Sequence, residues 1–334
     1  MKKFGWVIPL AIAIVVPFIF HDNYVLQTLI MVMLYAYWSS AWNILGGFAG
    51  QSAMGNGVYI GIGCYVTAVM FNEFAISPWI GMIVAAVIAG VLSTVLAYPC
   101  FKLSGTYYSL STVALLHVFR IIFNQEKELF GMYIGGAEGL KIPWVGGFMN
   151  MQFVDKIYYY FIILVMLVAV LFLTNWIRKS KMGYYLLALN TNQGAASSLG
   201  VDVVRYKLYA QFISAALSAL GGAFYVMLIM YIDSSRVMGY ALSLEVLLLA
   251  IVGGRGTVWG PLLGALVMVP VNELLRANLG SALSGLPTLV YGAVLMIVIY
   301  FMPGGLIIYV RKLAAKVKEK KAEKAVSAAG GDSK

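Results

Sequence analysis

The chain has 334 residues, 62% hydrophobic and 11% charged, with a net charge of +10. Ordinary soluble domains are about 45–50% apolar and about 25% charged, so a soluble enzyme, a disordered protein and a nucleic-acid-binding module are excluded. The basic excess sits in short segments beside apolar runs of about 20 residues, the length that crosses a bilayer as a helix.

The runs are continuously apolar rather than alternating, which excludes a transmembrane β-barrel. The expected fold is therefore all-α: a polytopic membrane protein of about ten spans, two of them Gly-interrupted. In chain order the spans are Phe4–Phe20, Tyr24–Leu45, Gln51–Phe71, Trp79–Tyr98, Ser104–Phe123, Ile157–Trp176, Leu208–Tyr231, Ala241–Gly254, Thr257–Leu275 and Leu286–Met302. Phe4–Phe20 follows Lys2-Lys3 but lacks a small-x-small cleavage site, so it is read as an anchor rather than a signal peptide. Residues 1–310 form the membrane domain, and 311–334 form a basic tail that is either a solvated helix end or a patch for anionic lipid.

Cytoplasmic segments carry the excess of Lys and Arg. With the N-terminus inside, the basic residues divide 17 inside to 6 outside. Both termini and the 178–206 loop are then cytoplasmic, and the 124–156 loop is extracytoplasmic. The outer loop contains Gly135-Gly136-Ala137-Glu138-Gly139, a turn-rich stretch. Cys64 and Cys100 read as small packing residues, and two His (His21, His117) do not make a metal site.

Two glycine clusters echo each other. Gly46-Gly47-Phe48-Ala49-Gly50 follows one apolar run, and Gly253-Gly254-Arg255-Gly256 follows another. Each precedes a GxxxG pair, Gly57/Gly61 and Gly260/Gly264. That spacing lets backbones pack closely, and paired interruptions are also how repeated transporter folds break helices around a pathway. Asn43, Gln51, Ser52, Asn56 and Thr67 flank the first break and are candidate neutral pathway groups, with Glu245, Gly253 and Gly254 at the second. A broken helix also frees backbone N–H groups that suit a carboxylate.

The missing chemistry is equally informative. There is no GxxxxGK[ST] loop, no TVGYG filter and no evenly spaced Arg ladder. No nucleophile-and-base set is evident, so no catalytic residue is assigned. Ion-coupled carriers use buried ionisable groups, and few exist here. Glu245 lies a few residues into its span, where it either lines the pathway or snorkels outward. Glu273 and Arg276, one turn apart, are expected to pair locally.

The cytoplasmic loop carries a motif. It runs Gly183-Tyr184-Tyr185-Leu186-Leu187-Ala188-Leu189-Asn190-Thr191-Asn192-Gln193-Gly194-Ala195-Ala196-Ser197-Ser198-Leu199-Gly200-Val201-Asp202. It resembles the coupling loop of bacterial ABC importer permeases, in particular the LivM-type branched-chain amino-acid permease family. Gly46 to Ser52, Gly135 to Leu140, Gly221-Gly222-Ala223, and Glu245 followed by Gly253 to Pro261 extend the resemblance over nearly the whole chain.

The resemblance implies a permease subunit in the inner membrane, importing branched-chain or related hydrophobic amino acids. Its implied partners are a second permease subunit, two ATPase subunits that hold ATP and Mg, and an extracytoplasmic solute-binding protein. No cofactor belongs to this chain itself. Asn192, Gln193, Gly194, Ala195, Ala196, Gly200 and Asp202 are the implied ATPase-coupling residues; Asn192–Gly200 is expected to form a short helix that Gly200 stops, with Ala195 and Ala196 in a groove of the ATPase. Where the family usually has charged residues, this chain has Asn190, Thr191, Asn192 and Gln193, so docking is expected to rely on shape and neutral hydrogen bonds. A permease for urea or short amides is the neighbouring alternative, and an ion-coupled transporter the alternative of another class.

Overall fold

A computed structural model of the chain describes residues 13–17, 22–103, 105–129, 131–279, 285–302 and 304–309. Most of the Phe4–Phe20 span and the basic tail lie outside the described residues, although residues 13–17 are helical. Eight helical stretches are long and apolar enough to cross a membrane. They comprise α1 (Asn23–Asn43, continued by a π-turn over Ile44–Phe48), α2 (Gly57–Phe74), α3 (Pro78–Cys100), α4 (Thr106–Gln125), α5 (Lys156–Lys179), α8 (Val203–Ile229), the pair α9 (Ser234–Val237) and α10 (Tyr240–Gly254), and α11 (Gly260–Leu279). Between α5 and α8 lie α6 (Lys181–Thr191) and α7 (Gln193–Ser198), and a shorter apolar helix, α12 (Leu286–Phe301), follows α11.

The central element is α1. It is buried around most of its circumference, with Trp38, Trp42 and Leu34 inside, and it packs against α5, α8, α10 and α11. α8 packs against α1, α2 and α3. Glycines set how closely these helices approach: a Cβ on Gly63 would strike the backbone of Ala219, and one on Gly222 would strike the Ile60 carbonyl. Cys64 uses the same close approach, donating its thiol to the Gly222 carbonyl at 3.2 Å. α4 differs from the others, since most of its surface is exposed.

Two expectations change. The segment 51–56 is irregular and helix begins only at Gly57, so Gln51 belongs to the break rather than to the following span. The 178–206 loop holds an unexpected helix, α6, beside the short helix expected over Asn192–Gly200, which is α7. Three caps explain it: Ser180 accepts from Gly183 N, Asn192 from Ala195 N, and Asp202 from Arg205 N.

The outer loop is folded onto the bundle. β1 (Glu128–Leu129) pairs antiparallel with β2 (Met132–Tyr133), and β3 (Leu140–Lys141) with β4 (Tyr231–Ile232), which follows α8. Gly139 has φ +74°, and a side chain there would run into Ile232 and Tyr231. Lys127 binds Glu138 at 2.6 Å, and that hydrogen bond holds the Glu138 carboxyl below its ordinary range. It is the one ion pair among the described residues. Glu273 and Arg276 therefore do not form the expected pair.

Candidate functional site

The two glycine clusters meet. The π-turn at the end of α1 brings Gly46 and Gly47 against the turn that leaves α10, where Gly254 and Gly256 have φ +127° and +75°. The Asn43 side chain joins them: its Oδ1 accepts from Gly256 N at 2.9 Å, and its Nδ2 donates to the Thr257 carbonyl at 2.9 Å. Arg255 Nε donates to the Gly46 carbonyl at 2.8 Å. A side chain on Gly47 would collide with Asn43 and approach Gly256 N to 2.7 Å. Glycine is required here because backbone contacts backbone.

The chain after the first break is held by hydroxyls from three other helices. Ser109 of α4 donates to the Ser52 carbonyl at 2.7 Å, and Thr112 of α4 accepts from Met54 N at 3.0 Å. Ser243 of α10 accepts from Gly57 N at 2.8 Å, and Ser218 of α8 donates to Asn56 Oδ1 at 3.1 Å. Within the break, Gln51 folds back so that its amide reaches the Ala49 carbonyl. Asn43, Gln51 and Asn56 thus spend hydrogen bonds on holding the break itself. Thr67 lies apart from them, buried in α2 against Gly81. At the second break, Gly253 and Gly264 let α10 and α11 touch: a Cβ on Gly253 would strike the Gly260 carbonyl, and one on Gly264 the Leu249 carbonyl. Glu245 is not free either; Asn272 of α11 donates to its Oε1 at 2.8 Å.

The cytoplasmic-loop helices connect to this knot. Asn190, at the end of α6, donates to the Gly47 carbonyl at 3.0 Å. Gln193, the first residue of α7, accepts from Lys207 Nζ at 2.9 Å. Lys207 is only 3% exposed and also lies over the Phe101 ring, 5.6 Å from its centroid. This inward tie fixes which way α7 faces. Ala196 is turned inward, at 4% exposed, whereas Gly194, Ala195 and Ser198 are exposed and Leu199 is 86% exposed. Position 196 therefore does not belong to the outward surface, a correction to the expected pairing of Ala195 with Ala196. Gly200, at φ +84°, ends the segment with open space around it.

Arg255, Thr257, Ser243 and Lys207 were not assigned a role by sequence reasoning, and Asn190, expected in the docking stretch, instead bonds within the chain. The sequence shows their polarity but not their partners, which lie on distant helices. His117 is exposed on α4, with its ring 6.5 Å from that of Tyr240. Among the described residues no cluster of His, Cys, Asp or Glu suits a metal.

Residues 24–302 match the family model for the branched-chain amino acid transport system / permease component. The chain is 25% identical over 315 residues to the high-affinity branched-chain amino acid transport system permease protein LivM of Salmonella typhimurium, covering 88% of this chain and 73% of that protein. It is 25% identical to the Escherichia coli LivM, covering 83% and 68% of the two chains. A probable LivH permease of Methanocaldococcus jannaschii is 24% identical, covering 73% and 77%. No solved structure matches the chain. With the family model spanning most of the sequence and the eight apolar helices within its range, the chain belongs to the permease-component family of branched-chain amino-acid transport systems.

Proposed function

We propose that this chain is the membrane subunit of an ATP-driven importer for branched-chain or related hydrophobic amino acids. It works beside a second permease, as the similarity to both LivM and LivH proteins supports. Two cytoplasmic ATPases supply the energy, and an extracytoplasmic binding protein delivers the solute. Both termini and α7 face the cytoplasm, and the 124–156 loop faces out. Gly194, Ala195 and Leu199 form the outward docking face of α7, while Asn192, Gln193, Gly200 and Asp202 shape and seat it.

The observation that carries the reading is the continuous linkage from α7 through α6 to the joined breaks. A displacement of α7 by a partner moves α6, and Asn190 passes that movement to the Gly47 carbonyl. Apart from the Asn56 Nδ2, polar groups at the break are engaged with one another, which suits a gate that re-forms rather than a fixed charged binding site.

The test is uptake into vesicles containing the assembled permeases and ATPases, with the binding protein outside. Labelled leucine should accumulate only with ATP and binding protein, and excess isoleucine or valine should compete. Accumulation of urea or acetamide instead would move the chain to the amide class. Uptake driven by an ion gradient without ATPases would overturn the importer reading.

A further inference from the structure

A cleft of about 760 Å³ opens between α3 and α8, at the end of the bundle that carries α7. Its rim holds two cations. Lys102 lies over the Tyr98 ring, 5.6 Å from the centroid. The Arg205 guanidinium lies 5.6 Å from the Tyr209 centroid, and its Nε donates to the Tyr209 hydroxyl at 2.8 Å. Neither cation is ion-paired among the described residues. Asp202 also reaches the rim, but its Oδ1 is occupied in capping α8. One acid therefore faces two cations, and the rim stays positive.

Below the rim the lining turns apolar, with Leu208 and Phe212 on α8. At 1.5 Å per residue Phe212 sits about 10 Å deeper than Arg205. There the cleft closes, since the Phe212 ring packs against Gly90 of α3. On α3, Val87, Val91 and Val95, close in sequence to the lining residues Thr94 and Tyr98, are exposed. Cations and tyrosines at the interface, with an apolar trough reaching inward, reproduce the layering of a phospholipid.

We propose that this cleft binds an anionic phospholipid of the leaflet on the α7 side, with the phosphate between Lys102 and Arg205 and acyl chains along Leu208 and Phe212. The site adjoins the seat of α7, because Lys207, between Arg205 and Leu208, holds Gln193. The inference rests on the chain being a membrane protein and is independent of which solute it carries.

The test is made on the purified transporter assembly in nanodiscs, using phosphatidylglycerol that bears a photoreactive group in one acyl chain. Crosslinks should map to the 94–98 and 208–212 peptides, with phosphatidylcholine labelling them weakly. In parallel, phosphatidylglycerol retained after detergent exchange is weighed by native mass spectrometry. Lys102→Ala with Arg205→Ala should lower retention by at least about tenfold, from about 1 kcal/mol per basic residue. Lys102→Arg should retain it. Both altered side chains lie at the rim, so insertion and ATPase binding serve as folding controls. Equal labelling by phosphatidylcholine, unchanged retention in the double variant, or crosslinks showing that another subunit fills the cleft would each overturn the assignment.

Discussion

Asn43 illustrates how one side chain can lock two helix breaks. Its amide satisfies one backbone N–H and one backbone carbonyl in a turn that has no helix partners for them. An unpaired buried polar group costs about 1–3 kcal/mol, and Asn43→Ala leaves two. We predict that Asn43→Ala lowers the thermal stability of the purified subunit and depresses uptake, and that Asn43→Asp, which sets a buried carboxylate against the Thr257 carbonyl, does no better than alanine. Equal melting and uptake in all three would mean that the amide is dispensable. Asn190 is a different case, because it is exposed and makes its bond at the edge of the knot. Such a bond is worth about 0.5–1.5 kcal/mol, or about a 2–10-fold effect on an equilibrium. Asn190→Ala should leave abundance unchanged and reduce leucine moved per ATP hydrolysed by that factor. The ratio of uptake to hydrolysis in the same vesicles checks it, and an unchanged ratio would remove Asn190 from the linkage. The polarity of these residues is plain in the sequence. Their partners are not, because Asn43 finds Gly256 and Thr257 across more than two hundred positions, and nothing local selects that pairing.

At the level of elements, the two breaks were legible as Gly46-Gly47 and Gly253-Gly254, each followed by a GxxxG pair. The backbone contacts between them explain why glycine stands at each point of approach. Gly47→Leu places carbon where Asn43 and Gly256 sit, and Gly254→Leu adds a strained φ of +127° to a clash with Ile307. Overpacking costs about 1–3 kcal/mol, occasionally more. Both variants are expected to abolish uptake even when membrane abundance matches the parent. Gly292→Leu is the control, since nothing lies within 4 Å of a side chain there and its backbone is helical. Uptake at parental levels in Gly47→Leu and Gly254→Leu would reduce the breaks to ordinary packing. Within the cytoplasmic loop the short helix α7 was legible from its small residues and its Gly200 stop, whereas α6 was not. The signal for α6 was present in Ser180, a good N-cap residue, but a helix of 11 residues has too few turns for apolar periodicity to reveal it. The direction in which Ala196 points was not legible at all, because the Lys207–Gln193 bond sets it from the next helix.

For the whole molecule, orientation comes first, because a coupling face must meet the ATPases. The distribution of basic residues predicts that a cysteine at position 192 is shielded from an impermeant reagent in intact cells while one at 138 reacts; the reverse pattern would invert the bundle. Given that orientation, the structure separates seating from docking on α7. Ala196 faces the chain's own bundle, so Ala196→Arg buries a charge in the subunit and disturbs α7 before any partner is met. Ala195 and Leu199 face outward, and substitutions there leave the Lys207–Gln193 seat intact. A bulky cation in a close-fitting groove meets both steric and desolvation penalties, and overpacking alone costs about 1–3 kcal/mol. Ala195→Arg should therefore insert and melt like the parent but retain less ATPase on purification, or retain ATPase whose hydrolysis no longer moves leucine. Leu199→Ala removes an exposed apolar side chain and should weaken ATPase retention more mildly, with no loss of subunit stability. The bound ATPase is weighed against the permease, and uptake is measured in the same preparation. If Ala195→Arg assembles and transports normally while Ala196→Arg fails, α7 is a structural connector and the ATPase contact lies on another part of the cytoplasmic surface.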